Sequence, residues 1–263
     1  VTTRDVELLH AVGRLKAATT SQLASLFFRH VSAATRRIRK LFALGLITVH
    51  VVDLNAPSIV VLSPKGARLL VERGTKPDEI HVARRIEHRD AHLEAINDLR
   101  VGLVHAVRER PEVQLELFVA DHDLRRTLGR SAATAPYIPD ALIRLVLHGG
   151  RRLHVVVEVD LATEWSAPLT DKIRAVHEIA RTQAPVYGLA YPWRPLVLVP
   201  DVARASAIAR LIVAEHGGDF WALGLIDHVA ADPFADRYAL ASDLVGPEPA
   251  FRRRLVPLAE RLP

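Results

Sequence analysis

The sequence predicts a mixed fold in two parts, α+β at the amino end and α/β beyond it. Three observations lead there. The first 75 or so residues run through short helical patterns and then two strand patterns around a Pro-containing turn. From Pro77 to Arg110 there is almost no turn signal. After Pro111 valine-rich strand runs alternate with helical ones. The expected organisation is an amino-terminal domain over 1–75, a helical linker over 76–111 and an α/β domain over 112–263.

Arg4 to Lys16 predicts a helix with Val6, Leu9, Val12 and Gly13 inward and Leu8 and Leu15 at the margins. Thr19-Thr20-Ser21-Gln22 is a start signal for a short helix from Gln22 to Phe27, apolar at Leu23, Leu26 and Phe27. Ser32 is expected to cap a third helix, SAATRRIRKLFALG, with a core stripe of Thr35, Ile38, Leu41 and Phe42 and a stop at Gly45. Arg36, Arg37, Arg39 and Lys40 fall away from that stripe, so the exposed side reads as a dense basic ridge. LITVHVVD predicts a strand, Leu54-Asn55-Ala56-Pro57 a linker, and SIVVLS a second strand. Pro64-Lys65-Gly66 opens a helix running to about Arg73.

Three short helices followed by a two-stranded ribbon is the winged helix-turn-helix order. GLITVHVVD…SIVVLSPKGARLL resembles the wing and following helix of many bacterial winged-helix regulators, over about 75 residues. Such a module sets its third helix in the major groove of duplex DNA, while basic residues of the wing meet phosphates. Arg36, Arg37, Arg39 and Lys40 are therefore the candidate DNA-binding residues. The competing readings are a solvated basic face and a winged helix that serves protein contacts.

The middle segment predicts one helix, or two with a break near Arg89, on a stripe through Ile80, Ala83, Ile86, Leu93, Leu103 and Val107. It joins the domains or pairs with its copy in a homodimer. His88 and His92 stand at i,i+4 with Glu87 near, a metal-compatible spacing. Without an identifiable third ligand they read as solvated or interface residues, as do His81 and His105.

Composition narrows the classes. Of 263 residues, 49% are hydrophobic and 25% charged, a soluble globular balance with enough apolar material for a core in each domain. No apolar run approaches the roughly 20 residues of a membrane span, and no signal peptide is visible. No membrane partner is expected, and a bacterial-type cytoplasm is the default location. The absence of cysteine removes disulfides, thiolate zinc sites and cysteine nucleophiles. Methionine is also absent. The net charge of +5 favours a nucleic-acid partner only modestly.

In the second domain VQLELFVA predicts a strand, followed by a polar, alanine-rich loop, LGRSAATAPY, and a hairpin, IPDALIRLVLHGGRRLHVVVEVD, turning at Gly149-Gly150. HVVVEVD is a strand rich in valine that nevertheless carries two acids. Alternation puts His154, Val156, Glu158 and Asp160 on one face, the acids roughly 6.5–7 Å apart at ~3.3 Å per residue. A two-residue Gly-Gly loop would set Asp140 opposite Val159, facing away. A three-residue loop, His148-Gly149-Gly150, sets it opposite Glu158 on the same face. The odd loop is expected, because it gathers Asp140, Glu158 and Asp160, and such a trio calls for a divalent cation or a basic neighbour. A helix follows, capped by Ser166, with Pro168 in its first turn and Leu169, Ile173, Val176 and Ala180 inward. Lys172 lies beside that stripe, within reach of the acids. Strands at VYGLAY, PLVLVPD and FWALGLI and a helix at ARASAIARLIVAEHG complete the domain. Thr163 and Glu164 read as a polar turn, Trp165 as a packing anchor, and Arg252-Arg253-Arg254 as a phosphate contact or a solvated run.

Pro139-Asp140 and Glu158-Val-Asp160 look like the PD-(D/E)XK nuclease core. More specifically, PDALIRL…VVVEVDLATEW with Lys172 resembles the bacterial replication-relaxation family of plasmid and mobile-element proteins, which pair a winged helix with PDA, E-x-D-x-x-T-E and a helical lysine. The resemblance implies DNA binding linked to replication, relaxation or mobilisation. It implies Asp140, Glu158 and Asp160 as ligands for Mg²⁺ and, with Lys172, as the catalytic set. One departure stands out: Asp160 occupies the place of the nuclease lysine, so Lys172 would substitute from the helix. Three readings follow: a DNA-binding accessory factor, a metal-dependent endonuclease, and a transcriptional regulator.

Overall fold

The computed structural model describes residues 1–82, 88–162, 166–246 and 249–255. Helices and strands are both present, the strands forming a three-stranded and a six-stranded sheet. The chain divides into two compact units, Val1–Val101 and Gly102–Pro263. Among the described residues no helix is long and apolar enough to cross a membrane.

The first unit opens with α1 (Thr3–Leu15), started by a capping box between Thr2 and Asp5. β1 (Ala18–Thr19) leads into α2 (Thr20–Phe27), whose capping box joins Thr19 and Gln22. Then come α3 (Val31–Ala43), β2 (Ile47–His50), β3 (Ile59–Leu62), and α4 (Pro64–Glu72) with Ser63 as its N-cap. The sheet order is β1-β3-β2, all antiparallel. Its core gathers Leu8, Leu9, Val12, Leu23, Ile38, Leu41, Val60, Leu62 and Leu70. α4 lies so close to β2 that a Cβ on Gly66 would stand 2.1 Å from the Leu46 carbonyl oxygen.

The buried face of α3 keeps Ile38 and Leu41 but is turned by a fraction of a residue from expectation. It begins at Val31 after His30, which provides no side-chain cap, and Ser32 is exposed within the first turn rather than capping it. Its buried stripe is Ala34, Ile38 and Leu41, at i, i+4 and i+7. Thr35 moves to the flank, and Phe42 is 52% exposed. In α1, Leu8 and Leu15 are core residues, not marginal ones.

The linker is shorter as a helix than the sequence suggested. α5 (Ala91–Glu109) starts only after Asp90, which accepts a hydrogen bond from the Leu93 N–H at 3.0 Å. Pro77–Glu79 is one 3-10 turn, and Ile80, His81 and His88 to Asp90 are not helical. The stripe positions Ala83 and Ile86, and Glu87, lie outside the described residues. The division between the two units falls within α5.

The second unit continues with β4 (Gln114–Ala120), α6 (Asp121–Leu128), β5 (Ala141–Val146), β6 (Arg152–Val159), α7 (Ser166–Arg181), β7 (Arg194–Val199), α8 (Val202–Ala214), β8 (Ala222–Leu225), α9 (Ile226–Ala231), β9 (Tyr238–Leu240) and α10 (Ala241–Leu244). The sheet runs β4-β5-β6-β7-β8-β9. β6, β7 and β8 are parallel, and the other pairs are antiparallel. α7 and α8 are the β6–β7 and β7–β8 crossovers, and their Ile173, Val176, Ile208, Ala209 and Ile212 pack with Leu142, Val156, Val197 and Leu223 of the sheet. Val155, Val157 and Val159 on the opposite face of β6 are buried as well, which accounts for the unbroken valine run.

Two expectations are corrected here, and one helix is added. α6 occupies DHDLRRTL, where Leu124 is the one residue buried, too sparse a pattern to register as helical. VYGLAY forms a turn closed by an isolated Val186–Leu189 bridge, not a strand. β9 adds an edge strand beyond the expected last one. The β5–β6 turn, by contrast, has three residues, His148-Gly149-Gly150, with both glycines at positive φ and Leu147 N–H donating to the Arg151 carbonyl at 2.8 Å.

Candidate functional site

That odd-numbered turn fixes what faces what. The ladder pairs Ala141 with Val157 and Leu142 with Val156, so one further step sets Asp140 across from Glu158. Asp140 and Glu158 are only 8% and 3% exposed. Two charges cannot be buried side by side without compensation, and partners are present. The Val159 N–H donates to Asp140 Oδ2 at 2.7 Å. The Tyr137 hydroxyl donates to Glu158 Oε1 at 2.6 Å, and Lys172 Nζ, from α7, donates to Oε2 at 3.2 Å.

Burial and the Asp140 carboxylate push the Glu158 carboxyl up to about 7, against the opposing pull of Lys172 and Tyr137. Burial and Glu158 in turn drive the Tyr137 hydroxyl well up, so it remains a donor. Tyr187 donates its hydroxyl to the Tyr137 carbonyl and steadies this segment.

Asp160 takes a different course. Just past the end of β6, it accepts a hydrogen bond from the Ala162 N–H at 2.7 Å, turning the chain out of the sheet. Arg204, in the first turn of α8, grips both its oxygens, Nε to Oδ1 at 2.8 Å and Nη2 to Oδ2 at 2.7 Å. Asp140, Glu158 and Lys172 thus come together, and Asp160 is held by Arg204. Thr163, Glu164 and Trp165 lie outside the described residues.

Tyr137 and Arg204 were not anticipated. Tyr137 stands three residues before Asp140, close enough to have been considered. Arg204 could be found only from topology: β6 and β7 are parallel neighbours, so the helix after β7 begins beside the end of β6.

A Mg²⁺ ion at these acids would have to share or take over oxygens that already accept hydrogen bonds. Such an ion retains several waters and needs open oxygen ligands. Here both Glu158 oxygens, both Asp160 oxygens and Asp140 Oδ2 already accept hydrogen bonds, and an entering cation would displace Lys172 or Arg204.

In the first unit, Arg36, Arg39 and Lys40 are exposed on α3. Among the described residues no carboxylate pairs with them. Arg37 leaves the expected ridge: it is half-buried and closes a two-pronged ion pair on Asp5, whose side chain is 2% exposed. Burial acts to raise the Asp5 carboxyl, but hydrogen bonds from Arg37 and Thr2 outweigh it and hold the group below its ordinary value. The β2–β3 turn carries no lysine or arginine. Its Val51, Val52 and Leu54 are exposed around Asp53.

An amino-terminal unit whose α3 exposes Arg36, Arg39 and Lys40, followed by an α/β unit in which Lys172 bonds the buried Glu158 across from Asp140, defines the class. The family described as Replication-relaxation matches residues 9–190, a span from α1 past the end of α7 that includes Arg36, Tyr137, Asp140, Glu158 and Lys172. The chain belongs to the replication-relaxation family. No curated protein and no solved structure matches it.

Proposed function

We propose that the protein binds duplex DNA through α3 and serves as an accessory factor in the replication, relaxation or mobilisation of plasmid or mobile-element DNA. The observation that carries this reading is the set of three exposed cations, Arg36, Arg39 and Lys40, without carboxylate partners among the described residues. They stand on the third helix of an α1-β1-α2-α3-β2-β3 unit with sheet order β1-β3-β2, an order that supports reading it as a winged helix. Family membership supports the same process.

The second unit is read as a PD-(D/E)XK-type domain. The order α5-β4-α6-β5-β6-α7-β7, with Asp140 before the second strand of the sheet and Glu158 on the third, supports that kinship, α6 being an added helix between the first two strands. Glu158 is paired with Lys172 and Asp160 with Arg204, which favours a structural ion-pair network over phosphodiester cleavage.

Reversing Arg36, Arg39 and Lys40 together to glutamate tests the DNA reading by fluorescence anisotropy on duplex DNA. Loss of binding with an unchanged circular dichroism spectrum is expected. Equal affinity in the reversed protein would sink it.

A further inference from the structure

We infer that Arg36 reads a guanine in the major groove, while Arg39 and Lys40 hold the phosphate backbone. The inference rests on the proposed docking of α3 and deepens it. Ser32, Arg36, Lys40 and Ala43 follow one another on the exposed face of α3, opposite the buried Ala34, Ile38 and Leu41. The ends of this face are small, Ser32 at one and Ala43 at the other, and the exposed Val31 and Phe42 stand to one side of it. Arg36 is the long side chain nearest the helix start, the part of a recognition helix that meets base edges. Arg39 and Lys40 lie in the later half, where the helix diverges toward the backbone.

The chemistry separates the roles further. A guanidinium has a planar fork that matches O6 and N7 of guanine, whereas an ammonium is a point charge suited to phosphate. Arg37, the other arginine in this half of α3, is committed to Asp5 and is not available. No carboxylate among the described residues holds Arg36.

The test is selection of bound duplexes from a randomised pool by the full-length protein, followed by affinity measurement on the selected site. Wild type is expected to enrich a motif with an invariant guanine. Arg36→Ala should lose preference at that position alone, with a roughly 10- to 100-fold loss on the selected site and little on the site lacking that guanine. Arg36→Lys should not restore the preference. Lys40→Ala should weaken all sequences alike. If Arg36→Ala keeps the motif and weakens every duplex equally, Arg36 is a phosphate contact and the inference fails while DNA binding by α3 stands. Binding by wild type without any sequence preference has the same meaning. Failure of wild type to bind any duplex overturns both.

Discussion

Arg204 closes on both oxygens of Asp160, joining the first turn of α8 to the end of β6 at 2.7 and 2.8 Å. The Asp160 side chain is 9% exposed, so removal of Arg204 leaves a nearly buried charge unpaired. Arg204→Ala is expected to cost roughly 2–3 kcal/mol in urea unfolding, below the full figure for a buried pair because Arg204 itself retains solvent contact. Asp160→Asn with Arg204→Ala should recover more than half of that loss. A double variant as unstable as the sum of the singles would deny the coupling.

The Glu158 carboxyl makes a prediction about pH. Its pKa in the folded chain lies above the unfolded value, so folding favours the protonated form. The penalty begins as pH rises through the unfolded value of 4.5 and is complete above about 7. At 1.36 kcal/mol per pH unit the full effect is about 3 kcal/mol. Glu158→Gln, measured with EDTA present, should match wild type near pH 4 and exceed its stability increasingly up to pH 8. Parallel stability curves would show that the group is not perturbed.

Adjacent arginines on α3 should behave oppositely. Arg37→Ala strips the partner from the buried Asp5 and is expected to destabilise the protein by about 2–4 kcal/mol. Because the Asp5 carboxyl is held low, its stabilising contribution is present above its unfolded value of 3.8 and fades as pH falls through the folded one. Arg36→Ala, on the solvated face, should stay within about 0.5 kcal/mol of wild type. A reversed order of losses by thermal unfolding would contradict the phase of α3.

The pairing of Glu158 with Lys172 and of Asp160 with Arg204 predicts that supercoiled plasmid stays intact when incubated with the protein and Mg²⁺ or Mn²⁺. Nicking that EDTA suppresses and that vanishes in Asp140→Ala and Glu158→Ala would restore the nuclease reading.

Local signals carried much of this structure. Gly149-Gly150, together with the alternation of HVVVEVD, was enough to place Asp140 opposite Glu158, because a hairpin's register depends on its turn and on the residues beside it. Lys172 was legible for a similar reason, lying on a helix that directly follows the strand. Arg204 was not, since its meeting with Asp160 depends on a crossover 44 residues away. The inward turn of Arg37 escaped notice because Ala34, a weak hydrophobe, takes the core position that Thr35 was given. With Ala34 inward the buried face turns toward Arg37, which pairs with Asp5. α6 was missed because its sequence offers one buried leucine and no stripe.

Duplex affinity as a function of salt tests the basic face of α3 most directly. Each phosphate contact contributes roughly 0.9 to the slope of log affinity against log salt concentration. Replacing Arg39 and Lys40 with alanine should therefore flatten the wild-type slope by roughly 2. An unaltered slope in that double variant would place the DNA, if it binds at all, somewhere other than on this helix.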